Sequence, residues 1–326
     1  MNINQLKIVF MGTPEYAVES LKNLVENDCN VVAVVTQPDK PVGRHASTLH
    51  QPPVKQFAIE NKIPVLQPEK MQDPVFLEQL KSYNADLFVV VAYRMLPEVV
   101  WKMPRFGTFN IHASLLPQYR GAAPINWAVI NGEKRTGVTS FFLDQTIDTG
   151  KIIMQKPFDI PEDADVEFVY NGLMMIGADI CLDTVKAIAE TDGQLQTHDQ
   201  SLMIPDGEIL KQAPKLFKET CRIDWKQPMK RIHDFVRGLS PVPGAWTTLV
   251  HQGGIQQTMK IYKTSLSSRR WADVPIGGVI CDNKQMFVAV EDGSIIIESL
   301  QMAGKKRMET NDFLNGFHDD GQWKME

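Results

Sequence analysis

Over its first 160 residues the chain alternates short apolar runs with helix-patterned segments, and that alternation leaves few folds open. KIVFMG reads as a buried strand, and PEYAVESLKNLVEN follows with Ala17, Leu21, Leu24 and Val25 at helical spacing behind Pro14. NVVAVVTQ, IPVLQ, DLFVVVAY, GTFNIHAS and TGVTSFFLD read as further strands. VKQFAIENK, DPVFLEQLKSYN and a stretch near APINWAVINGE read as helices between them. Strands that are apolar on both faces, alternating with helices, imply a parallel sheet covered on each side. The expected class is α/β, a doubly wound sheet. VEFVYNGLMMIGADICLDTVKAIAET is expected to close it as one long helix, with the adjacent Met174 and Met175 in its core.

The texture changes near Pro205. APKLFKETCRIDWKQ resembles a linker and MKRIHDFVRGLS a short amphipathic helix. WTTLV, MKIYKTSL, GGVICD, QMFVAV and SIIIESLQM then alternate like strands of a small β-barrel. Two domains are expected, 1–205 and 206–326, in keeping with 326 residues. The net charge of −5 argues against general affinity for nucleic acid, but the charge is uneven. Residues 206–270 hold 12 Lys and Arg against 5 Asp and Glu, a local +7, and local potential is what a polyanion senses. Lys211, Lys215, Lys218, Arg222, Lys230, Arg231 and Arg237 form its dense part. Trp127, Trp225 and Trp246 are read as packing residues. Cys29, Cys181, Cys221 and Cys281 are far apart, which argues against a zinc site or a disulfide framework and fits a reducing cytosol. The chain enters its first strand without a leader-like segment and has no apolar run near 18 residues, so a soluble cytoplasmic protein is expected.

The turn after the first strand, FMGTPE, holds one glycine, Gly12. Close approach to a pyrophosphate needs G-x-G-x-x-G, so a dinucleotide site is not expected there. The chemistry points instead to NIHASLLPQYRG. Period two places Asn110, His112 and Ser114 on one side of a strand near its carboxyl end, where ligands of such sheets collect. FLDQTIDTG, some thirty residues on, supplies Asp144 and Asp148. A strand end that merely meets solvent explains the first group, and a simple turn explains the second. Together they fit attack on a carbonyl, with an amide to hold the oxyanion, an imidazole to shuttle charge, and a carboxylate to fix the ring or take a proton. Ser114 lacks the G-x-S-x-G setting of a nucleophile, and Asp144 contacts a ligand or caps the strand end.

NIHASLLPQYRGAAPINWAVINGEKRTGVTSFFLDQTIDTG closely resembles the signature of the 10-formyltetrahydrofolate-dependent formyltransferases. FMGTPEYAV, TQPDKPVGR, KETCRIDW, SPVPGAW and LQMAGKKRM extend the likeness over nearly the whole chain. They are similar to members whose acceptor is the α-amino group of initiator methionyl-tRNA. The resemblance implies a Rossmann-like first domain and an OB-type β-barrel second domain. It implies that Asn110, His112 and Asp148 are catalytic, that Ser114, Leu115, Leu116 and Pro117 form a folate-binding turn, and that the segment with Arg94, Met95 and Leu96 is the wall for the pterin. Asp144 is a further candidate folate contact. Arg44, in the loop 38–53, matches an arginine used near the tRNA acceptor end. Two departures stand out. The lysines that often follow that arginine are missing before Lys55, and AYRMLPE is one residue shorter than the commoner AYGLxLP.

The expected reaction moves a formyl group from 10-formyltetrahydrofolate to methionyl-tRNA, with Asn110 and His112 donating to the oxyanion and Asp148 orienting His112. No metal is expected, and the chain is expected to work as a monomer. The alternatives are a formyltransferase for a small amine, such as a nucleotide sugar or glycinamide ribotide, and an RNA-binding module with an inactive α/β domain. A small acceptor needs neither the basic segment nor the barrel. An inactive domain needs no Asn110–His112–Asp148 set.

Overall fold

The computed structural model describes residues 1–42, 48–205 and 207–326. Its contacts divide the chain into two compact units. One holds Met1–Gly121, Thr136–Phe158 and Asn171–Gln212, and the other holds Ala122–Arg135, Asp159–Tyr170 and Ala213–Glu326. The expected division after residue 205 follows sequence order. By contact, the excursions 122–135 and 159–170 group with the C-terminal unit instead.

The main sheet contains β1 (Ile8–Gly12), β2 (Val31–Val35), β3 (Val65–Leu66), β4 (Leu87–Val91), β5 (Thr108–His112), β6 (Arg135–Phe142) and β7 (Ile152–Asp159). Their order is β7-β6-β5-β4-β1-β2-β3. Pairing is parallel from β5 through β4, β1 and β2 to β3. β6 joins β5 antiparallel, so the parallel core is extended on one side into a mixed sheet. Every residue of β1 and β4 is buried, as expected of strands covered on both faces. The strand order reverses between β1 and β4, the kind of crevice at which open α/β sheets gather ligands.

The helix α1 (Glu15–Glu26) lays Tyr16, Ala17, Leu21 and Leu24 against the sheet. Gly12 is there for packing. A Cβ on it would stand 2.7 Å from the Ala17 Cβ and 3.0 Å from the Val91 carbonyl oxygen. The expected long helix runs Val166–Glu190. Met175 is a correction, since it is exposed. Adjacent helical residues diverge by about 100°, so one of two neighbouring methionines faces away. The loop expected at 38–53 contains a small antiparallel ladder pairing Lys40–Val42 with Thr48–His50. Arg44 lies outside the described residues.

In the C-terminal unit the antiparallel sheet runs in the order Val279–Asp282, Gln285–Val290, Gly293–Met302, Gln256–Ser267, Ala245–His251, Trp323–Met325. Its ends meet, because the Met325 amide donates to the Gly277 carbonyl at 2.8 Å and Gly278 bridges Lys324. That closes a barrel around Leu249, Met259, Ile261, Val288, Ile295, Ile297 and Leu300. The closing strand has three residues, too short for a period-two pattern to reveal. The expected linker belongs to this core, with Cys221, Ile223 and Trp225 buried in it and Trp127 and Trp246 packed at its margin.

Candidate active site

Everything begins where β5 stops, at His112. Asn110 and His112 share one face of the strand. Asn110 is half-buried between its neighbours Val90 and Phe141. Among the described residues nothing hydrogen-bonds its side-chain amide. The strand does not reach Ser114, which lies beyond its end and is fully buried. The Ser114 hydroxyl donates to the Gln118 carbonyl at 2.7 Å, and its own carbonyl accepts from the Thr139 hydroxyl at 2.7 Å. The Leu116 amide donates to Thr139 Oγ1 at 3.1 Å, and the Leu116 carbonyl accepts from Gln155 Nε2 at 2.8 Å. Ser114, Leu116 and Pro117 are buried and Leu115 half-buried. The polar groups of Ser114–Pro117 are largely satisfied internally, and the segment builds the corner that aims its neighbours.

His112 is 6% exposed. Its Nε2 lies 2.8 Å from the Tyr119 carbonyl oxygen. A carbonyl only accepts, so Nε2 carries the hydrogen. Nδ1 is then left facing Asp148, 3.8 Å from Oδ2. That distance is too long for a direct hydrogen bond. The ring is positioned by Tyr119 and stands edge-on to Phe141, with centroids 6.4 Å apart.

Asp148 comes from the loop between β6 and β7. Its Oδ2 accepts from the Gly121 amide at 2.9 Å, and its backbone is left-handed at φ 55°. The next turn of the D-T-G motif is set by crowding. A Cβ on Gly150 would stand 1.7 Å from the Phe142 carbonyl oxygen, which excludes any side chain. Asp144 is exposed and accepts from the Thr146 amide and the Thr149 hydroxyl, each at 2.9 Å. It caps its own loop.

The segment after β4 emerges beside the end of β5, because Val91 pairs with Ile111. Arg94 is a strut there, donating to the Glu69 carbonyl at 2.8 Å and to the Pro68 carbonyl. Met95 is 74% exposed, whereas Leu96 is buried. Met95, Leu96 and Pro97 face Lys70–Pro74 across an open cleft of about 600 Å³. Asn110, His112 and Asp148 do not line this cleft.

The expected basic surface divides. Lys211, Lys215, Lys218, Arg222 and Arg231 are exposed. Lys218 and Arg222 stand 5.9 and 5.5 Å from the centre of the Trp246 ring, and Lys215 stands 5.6 Å from that of Phe217. Lys230 reaches back to Asp234 at 2.6 Å. Arg237 is a correction. It is 6% exposed, pairs with Asp234 at 2.7 Å and donates to the Ala164 carbonyl at 2.8 Å. Burial and an internal partner remove it from any surface a phosphate could reach.

Burial pushes the Cys29 thiol up to about 11 and the Cys281 thiol to about 12, and it raises Cys181 and Cys221 as well. Such thiols stay protonated and are poor nucleophiles. Among the described residues no cluster of His, Cys, Asp and Glu is placed to hold a metal ion, and no helix is long and apolar enough to cross a membrane. Sequence reasoning missed Tyr119, Gly121 and Gln200, which organise His112 and Asp148. Two of them act through backbone atoms, which leave no mark in a sequence. Gln200 bonds the backbone of Asp148 from 52 positions away.

An unpartnered amide beside an imidazole that faces a carboxylate is a set fit for carbonyl chemistry. Residues 6–185 match the family described as Formyl transferase. The chain belongs to this family. Residues 215–318 match Formyl transferase, C-terminal domain, so both units carry formyl transferase character. Among similar proteins, the methionyl-tRNA formyltransferase of Parabacteroides distasonis is 55% identical over 320 residues, 97% of each chain. That of Bacteroides fragilis is 51% identical over 326 residues, 100% of this chain and 99% of the relative. In fold, this formyl transferase resembles WlaRD, a sugar 3N-formyl transferase solved with dTDP and 5-N-formyl-THF. The two share 19% identity with a TM-score of 0.62, over 94% of this chain and 100% of that one. It also resembles HypX from Aquifex aeolicus in complex with tetrahydrofolic acid, at 18% identity and a TM-score of 0.61, over 97% of this chain and 48% of that one.

Proposed function

We propose that the chain transfers the formyl group of 10-formyltetrahydrofolate to the α-amino group of initiator methionyl-tRNA, in the cytoplasm. The acceptor follows from the relatives' shared name. The chemistry rests on one observation, the 3.8 Å gap between His112 Nδ1 and Asp148 Oδ2 with Nε2 already held by Tyr119.

In the neutral ring Nδ1 is a lone pair, so two acceptors face each other across that gap. Such a notch is completed by a donor. An α-amino group has a pKa of about 7.7–8.0, so near neutral pH much of the acceptor still holds the proton that blocks attack. The notch takes that proton first, and the neutral amine nitrogen then bonds to the formyl carbon. The protonated ring then offers Nδ1–H to the charge growing on the formyl oxygen, next to the free amide of Asn110. Asn110 and His112 thus serve as the two donors, His112 only while it carries the extra proton. Asp148 stabilises that cation through space. The folate supplies an activated formyl carbon and a nitrogen leaving group. As the carbon–nitrogen bond to the folate breaks, that nitrogen takes up the second proton, shed by the attacking nitrogen, and the first then leaves His112 for solvent, so both protons lost by the ammonium are accounted for.

The reading places the folate along the wall after β4, which emerges beside the end of β5. Met95, Leu96 and Pro97 provide an apolar bed for a ring, and Lys70 across the cleft provides a cation for an acidic tail. For the RNA, the support is the exposed cluster of Lys215, Lys218 and Arg222 around Phe217 and Trp246, where phosphate contact and stacking can combine. Arg44 is assigned to the acceptor end on resemblance alone.

The test is to incubate the protein with 10-formyltetrahydrofolate and, in parallel, methionyl initiator tRNA, an amino-sugar nucleotide or glycinamide ribotide. Formyl-methionine on the RNA is expected. Formylation of a small amine without any on the RNA would replace the assigned acceptor.

A further inference from the structure

We propose that Arg120 and Gln200 form a clamp that holds Asp148 at its working distance from His112, which makes Gln200 a positioning residue for formyl transfer. The proposal rests on the catalytic reading of His112 and Asp148.

Gln200 is 1% exposed, and a buried amide must place every donor and acceptor it has. Gln200 does so on the loop that carries Asp148. Its Nε2 donates to the Asp148 carbonyl at 3.0 Å and to the Gly150 carbonyl at 2.8 Å. Its Oε1 accepts from Arg120 Nε at 3.1 Å and Nη2 at 2.7 Å. Carbonyls only accept and a guanidinium only donates, so these partners set which end of the amide is which.

The loop needs such a hold. Asp148 is left-handed at φ 55°, a conformation that a non-glycine residue keeps only when its surroundings over-determine it. The clamp is also tied to the ring. Within Tyr119–Gly121, the Tyr119 carbonyl pins His112 Nε2, the Arg120 side chain grips Gln200, and the Gly121 amide holds Asp148 Oδ2. Both members of the proton-taking pair are therefore registered on one tripeptide. Losing Gln200 frees the backbone of Asp148 and leaves its Oδ2 on a single amide.

Gln200→Ala removes the clamp. Gln200→Glu keeps the acceptor for Arg120 but sets a carboxylate oxygen against two carbonyls. Both variants are expected to lose about 10–100-fold in kcat, the order of a 1 Å misplacement, with KM for both substrates within about twofold. Because the effect runs through Asp148, adding Gln200→Ala to Asp148→Asn should cost less than about threefold more. Nitrogen NMR of the His112 ring reads the same geometry without turnover. In either variant Nδ1, which faces Asp148, should shift, while Nε2 stays. The clamp is overturned if both variants keep wild-type kcat and an unmoved Nδ1, or if their losses multiply with that of Asp148→Asn. A wild-type protein that formylates no acceptor defeats the catalytic reading instead, and the ring shifts still decide the clamp.

Discussion

Asp148, half-buried, and Asp234, buried, are both aspartates beside basic side chains, and they do opposite things. Asp234, 3% exposed, receives Lys230 at 2.6 Å and Arg237 at 2.7 Å on the same oxygen. Its charge is answered twice within its own helix, Met229–Leu239. Asp148 has one backbone amide at 2.9 Å and an imidazole at 3.8 Å that touches but does not bond it. One carboxylate has its charge compensated and serves stability. The other keeps capacity in reserve, which is what a group that must answer the charge arising on His112 requires. Burial alone does not mark an active residue. The separating feature is hydrogen-bonding capacity left unused where a substrate can reach it.

The sharpest way to break this comparison is to remove both charges. Asp234→Ala strands two cations, one of them buried, and should cost about 3–5 kcal/mol of stability, read by denaturant unfolding, while the folded fraction keeps its kcat. Asp148→Asn should do the reverse, with a loss of about 10²–10³ in kcat and a melting temperature close to wild type. Asn110→Ala should match it, as the removal of one oxyanion donor. If Asp148→Asn unfolds the protein and leaves the turnover of the folded fraction intact, the two aspartates do not differ as described.

Arg237 and Arg222 extend the contrast to the RNA surface. Arg222→Gln should lower the slope of log tRNA affinity against log salt by about 0.7–0.9, the share of one phosphate contact. Arg237→Gln, which changes a buried pair, should leave that slope alone. Equal slopes for the two variants would place the RNA elsewhere.

The smallest effect is in His233. Its ring is buried, with Nδ1 3.0 Å from the Thr264 hydroxyl, and Asp234, Lys230, Arg237 and Asp163 surround it. Desolvation holds it below the ordinary imidazole value. The unfolded chain therefore takes up a proton that the folded chain refuses. Stability should fall as pH drops through the ordinary value near 6.5 towards the lowered one. His233→Gln should flatten that part of the melting profile, and an unchanged profile would assign the pH dependence to other groups.

Much of this was legible in the residues. The strand–helix alternation predicts the α/β sheet, and the short alternating stretches after Pro205 predict the barrel, because burial on two faces or one leaves a periodic trace. Asn110 and His112 were legible because period two on a strand is a geometric rule. The misreadings share one cause. Ser114 continues that period on paper, yet the strand ends at His112 and Ser114 turns inward to Gln118. Arg237 counts towards a basic run, yet its helix turns it towards Asp234 and Ala164. Pattern records which residues can share a face, and it does not record where the element stops or what lies opposite.

The sequence by itself determined the two architectures, the presence of an amide, an imidazole and a carboxylate near strand ends, and the resemblance that names their chemistry. Only the tertiary structure decided that His112 is held by a backbone carbonyl rather than by Asp148, and that Asp148 is carried by Gly121 and Gln200. The physical reason is that local periodicity follows from side-chain burial along one segment. The hydrogen bonds that aim a side chain are made with backbone atoms and buried amides from distant segments, and those partners exist only once the chain has closed on itself.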